Sequence, residues 1–149
     1  MEYSPLIAPV VALVAWTLVV LVWMAVARRG AFGRKGISLG ALPPGSRGSA
    51  LDNAGEDLAQ WKAHNYNHLM EQPTIFYAIV FALILMNMDV EINVWLAWGY
   101  VALRIVHSIV QSTVNIVKYR LILFGLSTFC LLGLTVHAAA RIFHDCFGL

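Results

Sequence analysis

The stretch Lys62-Ala63-His64-Asn65-Tyr66-Asn67-His68-Leu69-Met70-Glu71-Gln72-Pro73 runs straight into the apolar segment Thr74–Met88. These polar and ionisable side chains sit in a chain that is 60% hydrophobic and only 12% charged over 149 residues. A soluble domain carries about 25% charged residues, so this composition belongs to lipid rather than water. An ionisable group in hydrocarbon costs at least ~2.5 kcal/mol, so it faces a bundle interior or a polar cavity. On a helix, His64, His68 and Glu71 follow the spacing i, i+4, i+7 and share one face. A second polar stripe, Arg104, His107, Gln111, Asn115 and Lys118, lies on another hydrophobic segment.

Outward from these stripes, four spans can be placed. Tyr3–Ala27 holds no charged residue and is long enough to cross a bilayer. The second span runs from Gln60 to Met88, the third from Asn93 to Val117, and the fourth, Leu121–Ala140, has no Lys, Arg, Asp or Glu. The expected fold class is all-α, an integral-membrane four-helix bundle in one domain over residues 1–149. Its helices fall near 3–28, 54–88, 93–118 and 121–145, with a loop near 29–53. Capping-box spacing at Ser49–Asp52 and Asn53–Glu56 predicts that the second helix starts before its span, and Pro73 predicts a kink in it. The first span lacks a basic leader and is followed by Arg28 and Arg29, the pattern of an anchor rather than a cleaved signal.

Loop charge predicts orientation. The first loop carries Arg28, Arg29, Arg34, Lys35 and Arg47, and Lys118 and Arg120 flank the third, whereas the second offers only Asp89 and Glu91. By the positive-inside rule the first and third loops are cytoplasmic and both termini are not. A net charge of +2 gives no nucleic-acid footprint. Cys130 and Cys146 lie too far apart along a helix, ~24 Å, to form a disulfide. The tryptophans, mostly near span ends, read as interfacial anchors. His137, Arg141 and His144 read as solvated at the far end of the last helix.

The alternating direction of successive spans brings Glu71 and Arg104 to similar depth, and each is less costly as half of an ion pair. A Glu71–Arg104 pair is therefore expected. Asn67, His68, His107, Gln111, Asn115 and Arg120 are more polar surface than helix packing needs, which predicts a polar pocket toward the first- and third-loop side. His64, His68 and Glu71 could alternatively ligate a metal from one helical face.

Asn65-Tyr66-Asn67-His68-Leu69-Met70-Glu71-Gln72-Pro73, followed by Phe76 and Tyr77, resembles the second-helix signature of the MAPEG family, membrane-associated proteins in eicosanoid and glutathione metabolism. Arg104, His107, Asn115 and Arg120 are similar to its third-helix and fourth-helix-entry pattern, and the four-span plan extends the resemblance over nearly the whole chain. The resemblance implies a homotrimer with glutathione as cosubstrate between subunits and a lipophilic small molecule and membrane lipid as partners. It is closest to the bacterial branch, which implies a bacterial inner membrane. Glutathione S-transferase or peroxidase chemistry on a lipophilic electrophile is one implied function. A non-catalytic lipid-binding or scaffold role, found in the same family, is the other.

Under the resemblance Arg120 assists thiol ionisation, and His64, Asn67, His68, Glu71, Arg104, His107, Gln111 and Asn115 make the substrate and glutathione site. Three features depart from the family pattern. His64, Asn67 and His68 stand where characterised enzymes carry an arginine-rich run, Gln111 replaces a tyrosine, and Phe124 replaces a second one.

Overall fold

A computed structural model of the chain describes residues 3–34, 36, 38, 40, 43–44 and 57–148. The elements are α1 (Ile7–Arg34), α2 (Asp57–Leu85), α3 (Glu91–Thr113) and α4 (Val117–Phe147). All four are long and apolar enough to cross a membrane. The chain is thus an all-α, multi-pass integral membrane protein. The capping-box expectation for α2 lies outside the described residues.

The distribution of side chains is that of a lipid-solvated bundle. Val11, Leu18, Val22, Phe81, Trp95, Phe129 and Leu132 are exposed, whereas Asn65, Asn93, Arg104, His107, Ser108, Gln111, Ser112 and Ser127 are buried. Lipid tails are as apolar as Leu, so outward hydrophobes cost nothing and inward polar groups bond across helices. α3 carries most of this buried polar surface because it touches α1, α2 and α4. α1 and α4 do not meet among the described residues. In cross-section the helices form a rhombus, with α2 and α3 on the short diagonal and α1 and α4 at the far corners. This leaves two flanks, one between α1 and α2 and the other where α4 covers α2 and α3.

Two glycines let α3 and α4 approach closely. A Cβ at Gly133 would stand 3.0 Å from Leu96 Cδ1, and one at Gly99 would stand 3.4 Å from Cys130 Sγ. Close backbone approach through small residues replaces the missing hydrophobic driving force between membrane helices. Phe76 stacks on Tyr100, ring centroids 4.3 Å apart, at the α2–α3 contact. Below it, Tyr100 donates to Gln72 Oε1 (3.4 Å), and Gln72 Nε2 donates to Thr128 Oγ1 (3.0 Å), tying α2, α3 and α4 together. Such interhelical bonds average about 0.6 kcal/mol each in a membrane protein.

Helix ends differ from the sequence expectation in three places. α1 continues through Arg34 rather than stopping near 28, since Arg28 and Arg29 mark the edge of hydrocarbon without breaking a helix. α2, helical through Pro73 as expected, stops at Leu85 rather than near 88. It ends in a Schellman motif, with Asn87 left-handed at φ 52°, Asn87 N donating to Ile84 O and Met88 N to Leu83 O. The α3–α4 break falls at 114–116, several residues earlier than expected. Asn115 adopts φ 51°, a conformation that asparagine tolerates better than other residues with a Cβ.

Three other sequence readings are revised or extended. Trp16 and Trp23 point to polar partners inside the bundle: Trp16 Nε1 donates to Ser108 Oγ (3.0 Å), and the Trp23 ring lies 5.0 Å from Lys62 Nζ. His137 on α4 bonds Asn93 on α3 (2.6 Å), so it is a helix clasp rather than a solvated end. Arg141 is exposed and pairs with Asp145 one turn on (2.9 Å). Both cysteines are free.

Candidate functional site

α2, α3 and α4 converge on a cleft of about 210 Å³ lined by His68, His107, Val117, Arg120, Leu121 and Phe124. The helical register explains the set. His68 is the residue of the α2 stripe turned toward α3, His107 lies one turn along α3 from Arg104, and Arg120 and Phe124 occupy successive turns at the start of α4. The imidazoles of His68 and His107 lie 5.1 Å apart, and Phe124 meets His68 edge-on at 5.4 Å. Two polar rings and a guanidinium therefore share a cleft with apolar walls.

Arg104 forms the floor behind this cleft. Its side chain is fully buried. Nη2 donates to the His68 carbonyl (3.3 Å), Nη1 lies 3.4 Å from His68 Nδ1, and the guanidinium carbon stands over Phe124 and Tyr100 at 5.5 and 5.8 Å. A guanidinium only donates, so His68 Nδ1 accepts and the ring proton sits on Nε2. The His68 carbonyl is a neighbour of the Leu69 carbonyl, whose helical donor is lost at Pro73. Arg104 thus bonds α2 in the turn that the proline loosens.

The expected Glu71–Arg104 ion pair is not formed. Glu71 is exposed, and among the described residues its carboxylate has neither an ion-pair nor a hydrogen-bond partner. Arg104 does reach the α2 stripe, but the α2 register turns His68 inward and Glu71 out, so the buried guanidinium meets an imidazole, a carbonyl and two aromatic faces instead. Cation–π contact is worth about 2 kcal/mol or more when desolvated, which offsets part of the missing charge.

Arg120 is held by Asn115, whose Oδ1 accepts from Nη1 at 2.9 Å. The left-handed residue that ends α3 therefore also aims the cation that opens α4. Among the described residues Nε of Arg104 and Nε of Arg120 are buried N–H groups without an acceptor. Only Arg120 lines the cleft, so its Nε–H is the one placed to receive an anionic ligand, whereas Arg104 lies sealed in the floor behind it.

The other expected site residues divide. Gln111 is buried one turn beyond His107, and its Oε1 has no partner among the described residues. His64, Asn67 and Glu71 are exposed on the outer face of α2 and do not line the cleft. Among the described residues no three His, Cys, Asp or Glu side chains gather as metal ligands. His68 turns away from His64 and Glu71 toward Arg104 and His107, which breaks up the His64–His68–Glu71 constellation. Val117 and Leu121 line the cleft without having been marked by sequence, because aliphatic residues at a helix start carry no chemical signal.

The profile of the MAPEG family matches residues 6–140 of the chain. No curated protein and no solved structure gives a match. The matched segment takes in all of α1, α2, α3 and the cleft, together with most of α4, and the chain belongs to the MAPEG family.

Proposed function

We propose that this protein is a glutathione-dependent transferase or peroxidase of the membrane, acting on lipophilic electrophiles at subunit interfaces. The observation that carries the reading is Arg120. It is a guanidinium at an apolar-walled cleft, fixed by Asn115, with a buried N–H still lacking an acceptor. Glutathione, when bound, supplies a thiol whose thiolate is the nucleophile. Arg120 stabilises that anion without being consumed as a base, since a guanidinium keeps its proton at working pH. His68 offers its Nε2–H as a second donor, and His107 stands beside it. Phe124, Leu121 and Val117 give a lipophilic partner an apolar wall and limit the water that would compete for the anion.

A homotrimer in a bacterial inner membrane, with the first and third loops cytoplasmic, belongs to the same reading. Exposed Asn67 and Glu71 support it, since polar side chains facing outward from a membrane helix need a protein neighbour or a polar ligand. Glu71 then faces a cation, either the ligand's ammonium or a group on a second copy. A non-catalytic, lipid-binding role is the second reading. What favours it is the outer face of α2, which presents His64 and Asn67 where two carboxylates of a tripeptide would call for arginine forks.

The test is calorimetry with glutathione, followed by ultraviolet thiolate absorbance of the complex and turnover of chlorodinitrobenzene. Thiolate is expected near neutral pH, below the ~8.5 of a free thiol. Arg120→Leu removes the absorbance while leaving helix content intact. A complex without thiolate in the wild type rejects the transferase mechanism, and no binding at millimolar glutathione leaves the lipid-binding reading.

A further inference from the structure

The other flank of the rhombus holds a second cleft, unrelated to the first. It lies between the last turns of α1 and the first turns of α2, measures about 390 Å³, and is lined by Val26, Ala27, Gly30, Arg34, Leu58, Ala59 and Lys62. Lys62 is its anomaly. The side chain is only 9% exposed, yet its ammonium meets no carboxylate among the described residues. Nζ donates to Leu58 O (2.9 Å) and Ser112 O (3.4 Å) and faces the Trp23 ring at 5.0 Å. Those partners are neutral, and they occupy two of three ammonium donors. A buried ammonium whose described partners are all neutral keeps one donor for an anion that enters the cleft.

The walls say what kind of anion. Val26 and Leu58 are 66% and 54% exposed, so the apolar lining passes without a step into the lipid-facing surface of α1 and α2. Arg34 stands at the rim as a second cation. A cationic floor at a span end, opening sideways onto hydrocarbon, fits a charged headgroup whose acyl chains remain in the bilayer. Basic pockets between membrane helices take phosphate-bearing lipid headgroups on these grounds. We propose that the α1–α2 cleft binds the phosphate of an anionic phospholipid, with Lys62 as its buried partner, Arg34 as its rim partner and the acyl chains laid along Val26 and Leu58.

The full chain in mild detergent, offered equal phosphatidylglycerol and phosphatidylcholine with matched acyl chains, tests this by native mass spectrometry. Phosphatidylglycerol is expected to be retained preferentially, by about fivefold for each cation it meets. Lys62→Met keeps the length and apolar stem of the side chain and should lower the preference by about fivefold. Gly30→Leu fills the cleft from α1, where an added Cβ meets only Arg34 Nη1 at 3.5 Å. Leu also raises helix propensity, and unchanged helix content and oligomer mass separate a lost preference in this variant from a folding defect. Equal retention of the two lipids in the wild type overturns the proposal, as does full preference in either folded variant. Displacement of the lipid by millimolar inorganic phosphate overturns it too, because the site would then be one for a free anion.

Discussion

Asn115 carries two loads, and substitution can separate them. It holds φ 51° at the α3–α4 turn, and its Oδ1 accepts from Arg120 at 2.9 Å. Asn115→Gly keeps the backbone conformation at no steric cost and loses only the hydrogen bond. A bond to a charged group is worth about 1.5–3 kcal/mol when buried, and the lower end applies because Arg120 and Asn115 are both half-exposed. Asn115→Ala loses the same bond and adds the left-handed penalty of about 1–2 kcal/mol. Equilibrium unfolding in mixed micelles should therefore rank wild type above Gly and Gly above Ala, with about 1–2 kcal/mol between the variants. Both variants free Arg120 equally, so both should lose glutathione thiolate to the same extent despite their different stabilities. Equal stability of Gly and Ala would show that the turn does not need the left-handed residue. Wild-type thiolate in either variant would show that Asn115 does not aim Arg120.

Arg104→Met should leave subunit stability unchanged or raised, because it removes a buried charge with no carboxylate partner among the described residues and fills the space with an apolar chain. A loss of about 3–5 kcal/mol in a detergent melt would instead reveal a paired charge. Glu71→Gln should leave helix content untouched, since the carboxylate is exposed in the subunit, but weaken the oligomer in native mass spectrometry. An unaffected oligomer would remove Glu71 from the interface. The wild type should fly as a trimer from mild detergents, and monomer alone in all of them would refute the assembly.

Span number and the inward turn of Arg104, His107 and Gln111 on α3 were legible because a bilayer forces a simple rule: long apolar runs cross it, and polar faces hide. Pairing was less legible. A stripe such as His64, His68, Glu71 fixes a shared face to within about a turn, but which member points at α3 depends on how α2 rotates against its neighbours. That rotation gave Arg104 to His68 and left Glu71 outside. The α3–α4 break was misplaced because no Gly or Pro marks it, only an asparagine whose tolerance of positive φ looks ordinary in a sequence. Lys62 opened the most informative stretch of the chain, yet nothing about a lysine in a polar run tells that its ammonium will be buried against Trp23 and two carbonyls.

The four helices are of unequal length, and the inequality falls on the one that matters most. At 1.5 Å per residue α1, α2 and α4, of 28, 29 and 31 residues, reach about 42–46 Å, while the 23 residues of α3 reach only about 35 Å. The hydrocarbon layer is about 30 Å thick. The three longer helices can absorb a thicker membrane by burying more of their ends, but α3 has almost no spare length. Packed against all three neighbours, it cannot slide or lean independently of them. A thickening bilayer would pull first on the turn after Thr113, where Asn115 tethers Arg120. Hydrophobic mismatch would then act directly on the placement of the guanidinium, making lipid chain length a control on the cleft that no soluble-phase ligand can imitate.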